Sequence, residues 1–156
     1  MTWVHDQLYA AGGDHIPSTW ADFAQQTGVT AVLHLRPSMP QVFRGRPPQA
    51  FLWLDVADED RADLEVRWLA GEFLRACLER GVRVLLHSSL GRHRTRWAYV
   101  AYCIRMGQKP EVVLRRAAER PWLAPYHTDA DQWEAFAALA RGRMAEGGAK
   151  ARRRSD

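Results

Sequence analysis

The sequence contains little cysteine. Among its 156 residues only Cys77 and Cys103 are cysteines, so one disulfide at most can form. This excludes a cysteine-rich secreted scaffold and favours a reducing compartment, for which we expect the cytoplasm. No cysteine and histidine residues stand at the spacing of a zinc site, so we expect no metal and no cofactor.

Long apolar runs are also absent. No stretch reaches the roughly 18 consecutive apolar residues of a membrane span, so we expect no such span. The first residues, 1–6, lack the basic and apolar regions of a signal peptide. The composition is otherwise that of a globular protein, with 47% hydrophobic and 26% charged residues, which excludes a wholly disordered chain.

The net charge is modest, at +4, and the length fits one domain. We predict a folded domain over residues 1–146 and a basic, disordered tail over residues 147–156, because the tail follows two glycines and has nothing to bury. The sequence has no recognised nucleic-acid motif, so we expect no specific nucleic acid as a partner. A nucleic-acid interface would rest on charge alone, from the tail and from Arg92, Arg94, Arg96, Arg115 and Arg116.

Predicted strands alternate with predicted helices. Residues 29–35 and 82–86 are short, apolar and rich in β-branched side chains, which is typical of buried strands. Residues 51–56 predict a further strand, and residues 3–10 an edge hairpin or short strands. Caps and apolar spacing predict helices over residues 18–27, 62–80, 94–106, 110–119 and 129–144. The pattern indicates a single α/β domain with a central, mostly parallel sheet of about four or five strands flanked by helices.

Residues 84–99 carry the strongest chemical signal. They predict a buried strand, a tight loop from His87 to His93, and a helix that starts near Arg94. Backbone N–H groups of such a loop point inward, and the helix dipole adds about half a positive charge at the helix N-terminus. Gly91 permits a tight bend, and the planar guanidinium of Arg94 can bind two oxygens of one phosphate group. The segment therefore predicts an oxyanion site that suits phosphate.

The same loop, His-Ser-Ser-Leu-Gly-Arg-His-Arg-Thr at residues 87–95, resembles the signature of the cysteine-dependent protein tyrosine and dual-specificity phosphatases. That signature is His-Cys, any two residues, Gly, any two residues, Arg, and then Ser or Thr. Four positions match at the required spacing: His87, Gly91, Arg94 and Thr95. Two positions differ, because Ser88 stands where the family has its nucleophilic cysteine and Arg96 replaces the small residue that often follows.

Shorter similarities extend the resemblance to the compact, atypical dual-specificity type, over roughly residues 3–140. They occur in the family's order at Leu8-Tyr9, at residues 28–36, at residues 53–58, at Arg120-Pro121 and at Gln132. The resemblance implies a phosphatase-like α/β domain that needs no metal.

The resemblance also implies a cysteinyl-phosphate mechanism, in which a thiolate attacks phosphorus and water then hydrolyses the phosphocysteine. Ser88 occupies the nucleophile position. Thr95 would hydrogen-bond the sulfur and help it to leave, and His87 would order the loop from behind without acting as a base. The residues that would bind the phosphate oxygens are Ser89, Leu90, Gly91, Arg92, His93 and Arg94.

The resemblance further implies a general acid on the loop after the second strand. This carboxyl group protonates the leaving oxygen and then activates water. The family's acid falls on Asp58. Asp60 is our second choice and would also suit the N-cap of the following helix, whereas we expect Asp55 to be structural.

A serine at position 88 changes the expected activity. Because a hydroxyl has a far higher pKa than a thiol, we expect the chain to bind phosphomonoesters but to hydrolyse them barely. Two explanations stay open: a Cys-to-Ser substitution in an active parent enzyme, which the retained acid favours, or a natural pseudophosphatase that binds phosphorylated ligands. A different class is a serine hydrolase using Ser89, with His127 and either Glu111 or Glu119 as triad partners.

Basic residues indicate an anionic substrate. Arg92 and His93 belong to the loop, and we expect Arg36 and either Arg44 or Arg46 near it. The expected partner is a phosphorylated protein or another phosphomonoester, including a phosphoinositide or an inositol phosphate.

Overall fold

The structure is a computed structural model that describes residues 1–13, 20–37, 46–120, 123 and 130–152. Three residues with predicted roles lie outside the described residues. They are Ser18 as the N-cap of the first predicted helix, Arg44 as a pocket cation and His127 as a triad base. Five strands form one sheet in the order β1-β2-β5-β3-β4. They are β1 (Thr2–His5), β2 (Leu8–Gly12), β3 (Val29–His34), β4 (Ala50–Trp53) and β5 (Arg83–Ser88).

The sheet is mostly parallel, as predicted. Only β1 runs antiparallel, in a hairpin with β2, whereas the three other neighbouring pairs are parallel. Parallel strands place their carboxyl ends at the same edge of a sheet. The loops after β3, β4 and β5 therefore meet at one edge, with His34 directly beside His87 in the register.

In the described ranges, helices and a 3-10 turn accompany the sheet. They are α1 (Trp20–Thr27), the turn Glu59–Arg61, α2 (Leu64–Leu78), α3 (His93–Arg105), α4 (Pro110–Ala118) and α5 (Ala130–Arg152). Within the described ranges, none of these helices has both the length and the apolar character to cross a membrane.

Alternate residues of the central strands face opposite sides of the sheet. Leu33 and Leu86 join a large apolar cluster with α2, α3, α4 and α5. Val32 and Leu85 join a smaller cluster with Trp20 of α1. This alternation follows from the two-residue period of a strand, and burial on both faces explains why the two strand sequences are almost wholly apolar.

Three boundaries differ from the sequence predictions. Strand β4 ends at Trp53, three residues early, because the chain turns just beyond it, where Val56 N–H donates to the Leu54 carbonyl at 2.9 Å. The N-cap of α2 is Asp63, whose carboxylate accepts from Val66 N–H at 2.8 Å, and not Asp60. Helix α5 continues to Arg152, beyond its predicted end at residue 144. An ion pair from Arg143 to Glu65 ties this helix to α2.

Candidate functional site: an anion cleft at the carboxyl edge of the sheet

The loop at residues 88–94, called the phosphate loop below, leaves the end of β5 and enters α3. Ser88 is buried, and its Oγ accepts a hydrogen bond from Gly91 N–H at 2.9 Å. Gly91 has a φ of +67°, which a residue with a Cβ rarely adopts. The loop therefore curls back over the side chain at the nucleophile position.

The end of β2 supports the phosphate loop by close backbone contact. A Cβ at Gly12 would lie 2.4 Å from the Leu90 carbonyl carbon, so only glycine fits there. Gly13 N–H donates to the Ser89 carbonyl oxygen at 2.8 Å. Gly12 and Gly13 were not predicted as part of the site. Their signal in the sequence is a glycine pair shortly after a predicted strand.

The N-terminus of α3 faces the loop without a side-chain cap. Arg92 occupies the N-cap position, where no side chain hydrogen-bonds the first N–H groups. An arginine cannot accept such bonds, because its guanidinium contains only donors. Together with the helix dipole, this arrangement suits a bound anion.

Arg94 links three loops at the carboxyl edge. Its Nη1 donates to the Leu35 carbonyl at 3.1 Å and to Ser89 Oγ at 3.0 Å, and its Nη2 donates to the Ala57 carbonyl at 3.1 Å. These contacts hold the guanidinium beside the phosphate loop and join it to the segment that follows β4. The partners on the other two loops were not predictable from the motif, because they are backbone groups distant in sequence.

An open cleft of about 80 Å³ lies over the phosphate loop. A water molecule needs about 10–15 Å³ on the same measure, so a phosphoryl group has room. The side chains that line it are Glu59, Ser88, Ser89, Leu90, Arg92, His93 and Arg94. Six of these seven belong to the predicted loop, whereas Glu59 was not predicted.

Two of the three candidate acids, Asp55 and Asp58, do not line the cleft. Asp58, the predicted general acid, is exposed, and its Oδ2 lies 3.7 Å from Nε of Arg61. It does not line the cleft. Asp55 is also exposed, and the side chain of Asp60 lies outside the description. The structure thus brings Glu59, and not Asp58, together with the loop.

His87 is buried near the end of β5, directly before the phosphate loop. Its Nε2 donates to the Gly13 carbonyl at 2.8 Å, because a carbonyl can only accept. In a neutral ring, His87 Nδ1 then accepts from the Nδ1–H of His34 at 2.9 Å. Both rings are buried and stacked, with centroids 5.0 Å apart. These contacts occupy both nitrogens of His87 and give it a structural role, and the sequence analysis missed its partner His34.

Thr95 is fully buried, but its Oγ1 makes no hydrogen bond with any described residue. The contact from Thr95 to the side chain at position 88, expected for a sulfur, is therefore absent with serine there. A sulfur is larger than a hydroxyl oxygen and stands further from its Cβ. Arg96, the departure from the family pattern, is buried in α3 beside it.

Two basic residues expected near the loop occupy different places. Arg36 donates to the Gly13 carbonyl at 3.3 Å, so it supports the loop from the β2 side. Arg46 lines a separate cleft with Trp20 and Thr30. Of the two alternatives Arg44 and Arg46, Arg46 does not line the cleft over the phosphate loop, and Arg44 lies outside the described residues.

Neither Cys77 nor Cys103 lines the cleft. Burial raises the pKa of Cys103 to about 11, and burial also raises the pKa of Cys77. Both thiols are buried in helices away from the cleft. They therefore remain protonated and inert near neutral pH.

Solved phosphatase structures share this fold. DUSP15 matches with a TM-score of 0.70 over 94% of this chain and 95% of that chain, at 21% identity. Human DUSP28 matches with a TM-score of 0.66 over 89% and 96%, at 18% identity. PTPMT1 in complex with PI(5)P matches with a TM-score of 0.62 over 87% and 94%, at 16% identity. No family model and no curated protein sequence matches the chain.

The chain therefore has the fold of the dual-specificity phosphatases, which confirms the α/β architecture implied by the resemblance. The phosphate loop occupies the expected place in it, between the last strand and the helix that follows.

Proposed function

We propose that this protein is a phosphatase of the dual-specificity type whose cleft binds phosphomonoesters and whose serine at position 88 suppresses turnover. The observation that carries the proposal is the guanidinium of Arg94, held beside the phosphate loop by Leu35, Ser89 and Ala57. A planar fork next to an uncapped helix N-terminus suits an oxyanion with several oxygens.

The proposed binding mode follows from the donors. The N–H groups of the phosphate loop and of the first turn of α3 bind the oxygens from one side. Arg94 exchanges its bond to Ser89 Oγ for two parallel bonds to the phosphoryl group. These donors also match the charge that spreads over the equatorial oxygens in the transition state.

The serine explains the low expected activity. Among the described residues, the hydrogen-bond partner of Ser88 Oγ is the Gly91 N–H, which is a donor. A donor stabilises an anion already formed but removes no proton from a hydroxyl. A thiolate at the same place would be stabilised by this N–H, by the helix dipole and by Arg94, so Ser88→Cys restores the nucleophile of the parent chemistry.

Binding by the protein as it stands tests the proposal. Titration calorimetry with inorganic phosphate and phenyl phosphate should show one site. Arg94→Lys keeps the charge but loses the fork, so we expect at least about tenfold weaker binding. Arg46→Lys, in the separate cleft, is the control and should bind as the parent chain does. Equal binding by both variants would contradict the proposed cleft.

We further propose a phosphoprotein or a phosphoinositide as substrate. The neighbour PTPMT1 was solved with PI(5)P, and here the exposed Arg92 at the cleft mouth adds positive charge for a second anionic group. A panel of phosphotyrosine peptide, phosphothreonine peptide and short-chain phosphoinositides, assayed with Ser88→Cys, separates the two classes. Preference for the phosphoinositides indicates the lipid, and preference for a peptide indicates the phosphoprotein.

The serine-hydrolase alternative has less support. Ser89 Oγ accepts from Arg94 Nη1, and a guanidinium cannot take up a proton from a hydroxyl. Labelling of Ser89 by a fluorophosphonate would be the result that favours this class.

A further inference from the structure

We propose that Glu59 is the proton donor of the cleft, in place of the aspartate next to it. The inference rests on the proposed phosphatase function and adds a catalytic residue to it. Four acidic residues stand within a short stretch, at positions 55, 58, 59 and 60, and the sequence cannot tell which one reaches the cleft.

Glu59 and Asp58 lie differently with respect to the cleft. Glu59 is half-buried and lines the cleft together with Ser88 and Arg94. Its carboxylate makes no hydrogen bond or ion pair with any of the described residues, so it is available to a ligand. Asp58 is exposed, does not line the cleft, and has its carboxylate next to Arg61.

Two arginines hold the backbone on either side of Asp58. Arg94 Nη2 donates to the carbonyl of Ala57, and Arg67 Nη2 donates to the carbonyl of Glu59 at 3.4 Å. Arg67 is fully buried, with its guanidinium 4.0 Å from the ring centroid of Trp133. The segment is therefore held by an arginine on each side of Asp58. Turning the Asp58 side chain into the cleft in place of Glu59 would require a backbone rotation that breaks both arginine contacts.

Side-chain length also favours Glu59. Glu59 is the first residue of the 3-10 turn and lines the cleft, and a glutamate side chain has one methylene more than an aspartate. An aspartate from the same turn would have a shorter reach.

In the Ser88→Cys chain, the thiolate at position 88 forms a bond to phosphorus while the bond from phosphorus to the leaving oxygen breaks, and the carboxyl group of Glu59 gives its proton to that oxygen. Water then attacks phosphorus, Glu59 takes a proton from the water, and the bond from the nucleophile to phosphorus breaks. Inorganic phosphate leaves, and Glu59 is protonated again.

The experiment uses the Ser88→Cys chain as background, with Glu59→Gln and Asp58→Asn as the competing variants. On phenyl phosphate, Glu59→Gln should lower kcat/KM by about 100-fold or more, which is the contribution of a general acid. On p-nitrophenyl phosphate the loss should be much smaller, because nitrophenolate leaves without a proton. Asp58→Asn should show no such dependence on the leaving group.

The control is Glu65→Gln, which removes the same charge from an exposed position on α2 that pairs with Arg143. It should hydrolyse both substrates as the background does. A leaving-group-dependent loss in Asp58→Asn with none in Glu59→Gln would overturn the inference while leaving the proposed function intact. Absence of hydrolysis by the Ser88→Cys background itself would overturn the proposed function, and the role of Glu59 with it.

Discussion

At the scale of single residues, Gly12 decides how closely β2 approaches the phosphate loop. A Cβ there would meet the Leu90 carbonyl carbon at 2.4 Å, and a backbone atom cannot rotate aside as a side chain does. We expect Gly12→Ala to lower the free energy of unfolding by about 1–3 kcal/mol, the usual cost of overpacking, and to weaken phosphate binding. Urea unfolding and calorimetric titration measure the two effects.

Gly142 in α5 provides the matched control, since a Cβ added there would meet no atom of the described residues within 4 Å beyond the backbone of its own helix. Gly142→Ala should raise the free energy of unfolding by about 0.5–1 kcal/mol, because alanine has the higher helix propensity. The close contact would be refuted by a Gly12→Ala protein as stable as its parent.

The loop residues were predictable because their chemistry is local. A strand, a glycine, an arginine and a helix start stand in one short segment, and their spacing alone indicates an anion site. The Arg94 contacts to Leu35 and Ala57 were not predictable, because they are backbone oxygens brought in by other strands. Glu59 was missed for a related reason: adjacent acidic residues differ only in the direction their side chains take.

At the scale of elements, Arg67 joins α2 to α3, to α5 and to the 3-10 turn. Its guanidinium lies 5.8 Å from the Trp97 ring centroid and 4.0 Å from that of Trp133, and it donates to the Glu59 carbonyl. Arg67→Met keeps most of the apolar volume but removes the charge and the donors. We expect the free energy of unfolding to fall by about 2–4 kcal/mol.

Arg80→Met is the comparison for this prediction, because Arg80 is exposed at the end of α2. Its unfolding free energy should stay within about 0.5 kcal/mol of the parent value. If thermal or urea unfolding found the two variants equally stable, the joining role of Arg67 would be wrong.

The order and type of the elements were predictable, since apolar periodicity and glycine positions are local signals. The ends were less so. Strand β4 stops at Trp53 because the chain turns just beyond it, at the bond from Val56 N–H to the Leu54 carbonyl, and α5 runs on to Arg152 although Gly147 and Gly148 are poor helix formers. Neither end follows from the apolar spacing of the sequence.

At the scale of the whole molecule, the buried Cys103 makes stability depend on alkaline pH. Burial raises the pKa of Cys103 from 9.0 to about 11 in the folded protein. As the pH rises above about 9, the unfolded thiol ionises first, so the folded state loses relative stability up to about pH 11. Below pH 9 both states are protonated and this contribution is complete. Two pH units correspond to about 3 kcal/mol.

The check is urea unfolding of the parent chain and of Cys103→Ala between pH 7 and pH 11. We expect a smaller alkaline loss in the variant, because its unfolded state has one thiol fewer to ionise. Parallel losses in the two proteins would show that Cys103 does not carry this dependence.

We propose that serine in place of cysteine at position 88 suppresses hydrolysis by this phosphatase fold. Phosphate release from p-nitrophenyl phosphate measures this. The Ser88→Cys protein is compared with the parent chain and with Ser88→Cys combined with Arg94→Ala. We expect multiple turnovers by Ser88→Cys and almost none by the parent chain. The double variant with Arg94→Ala should lose the gained activity. Hydrolysis by Ser88→Cys no faster than by the parent chain would contradict the proposal.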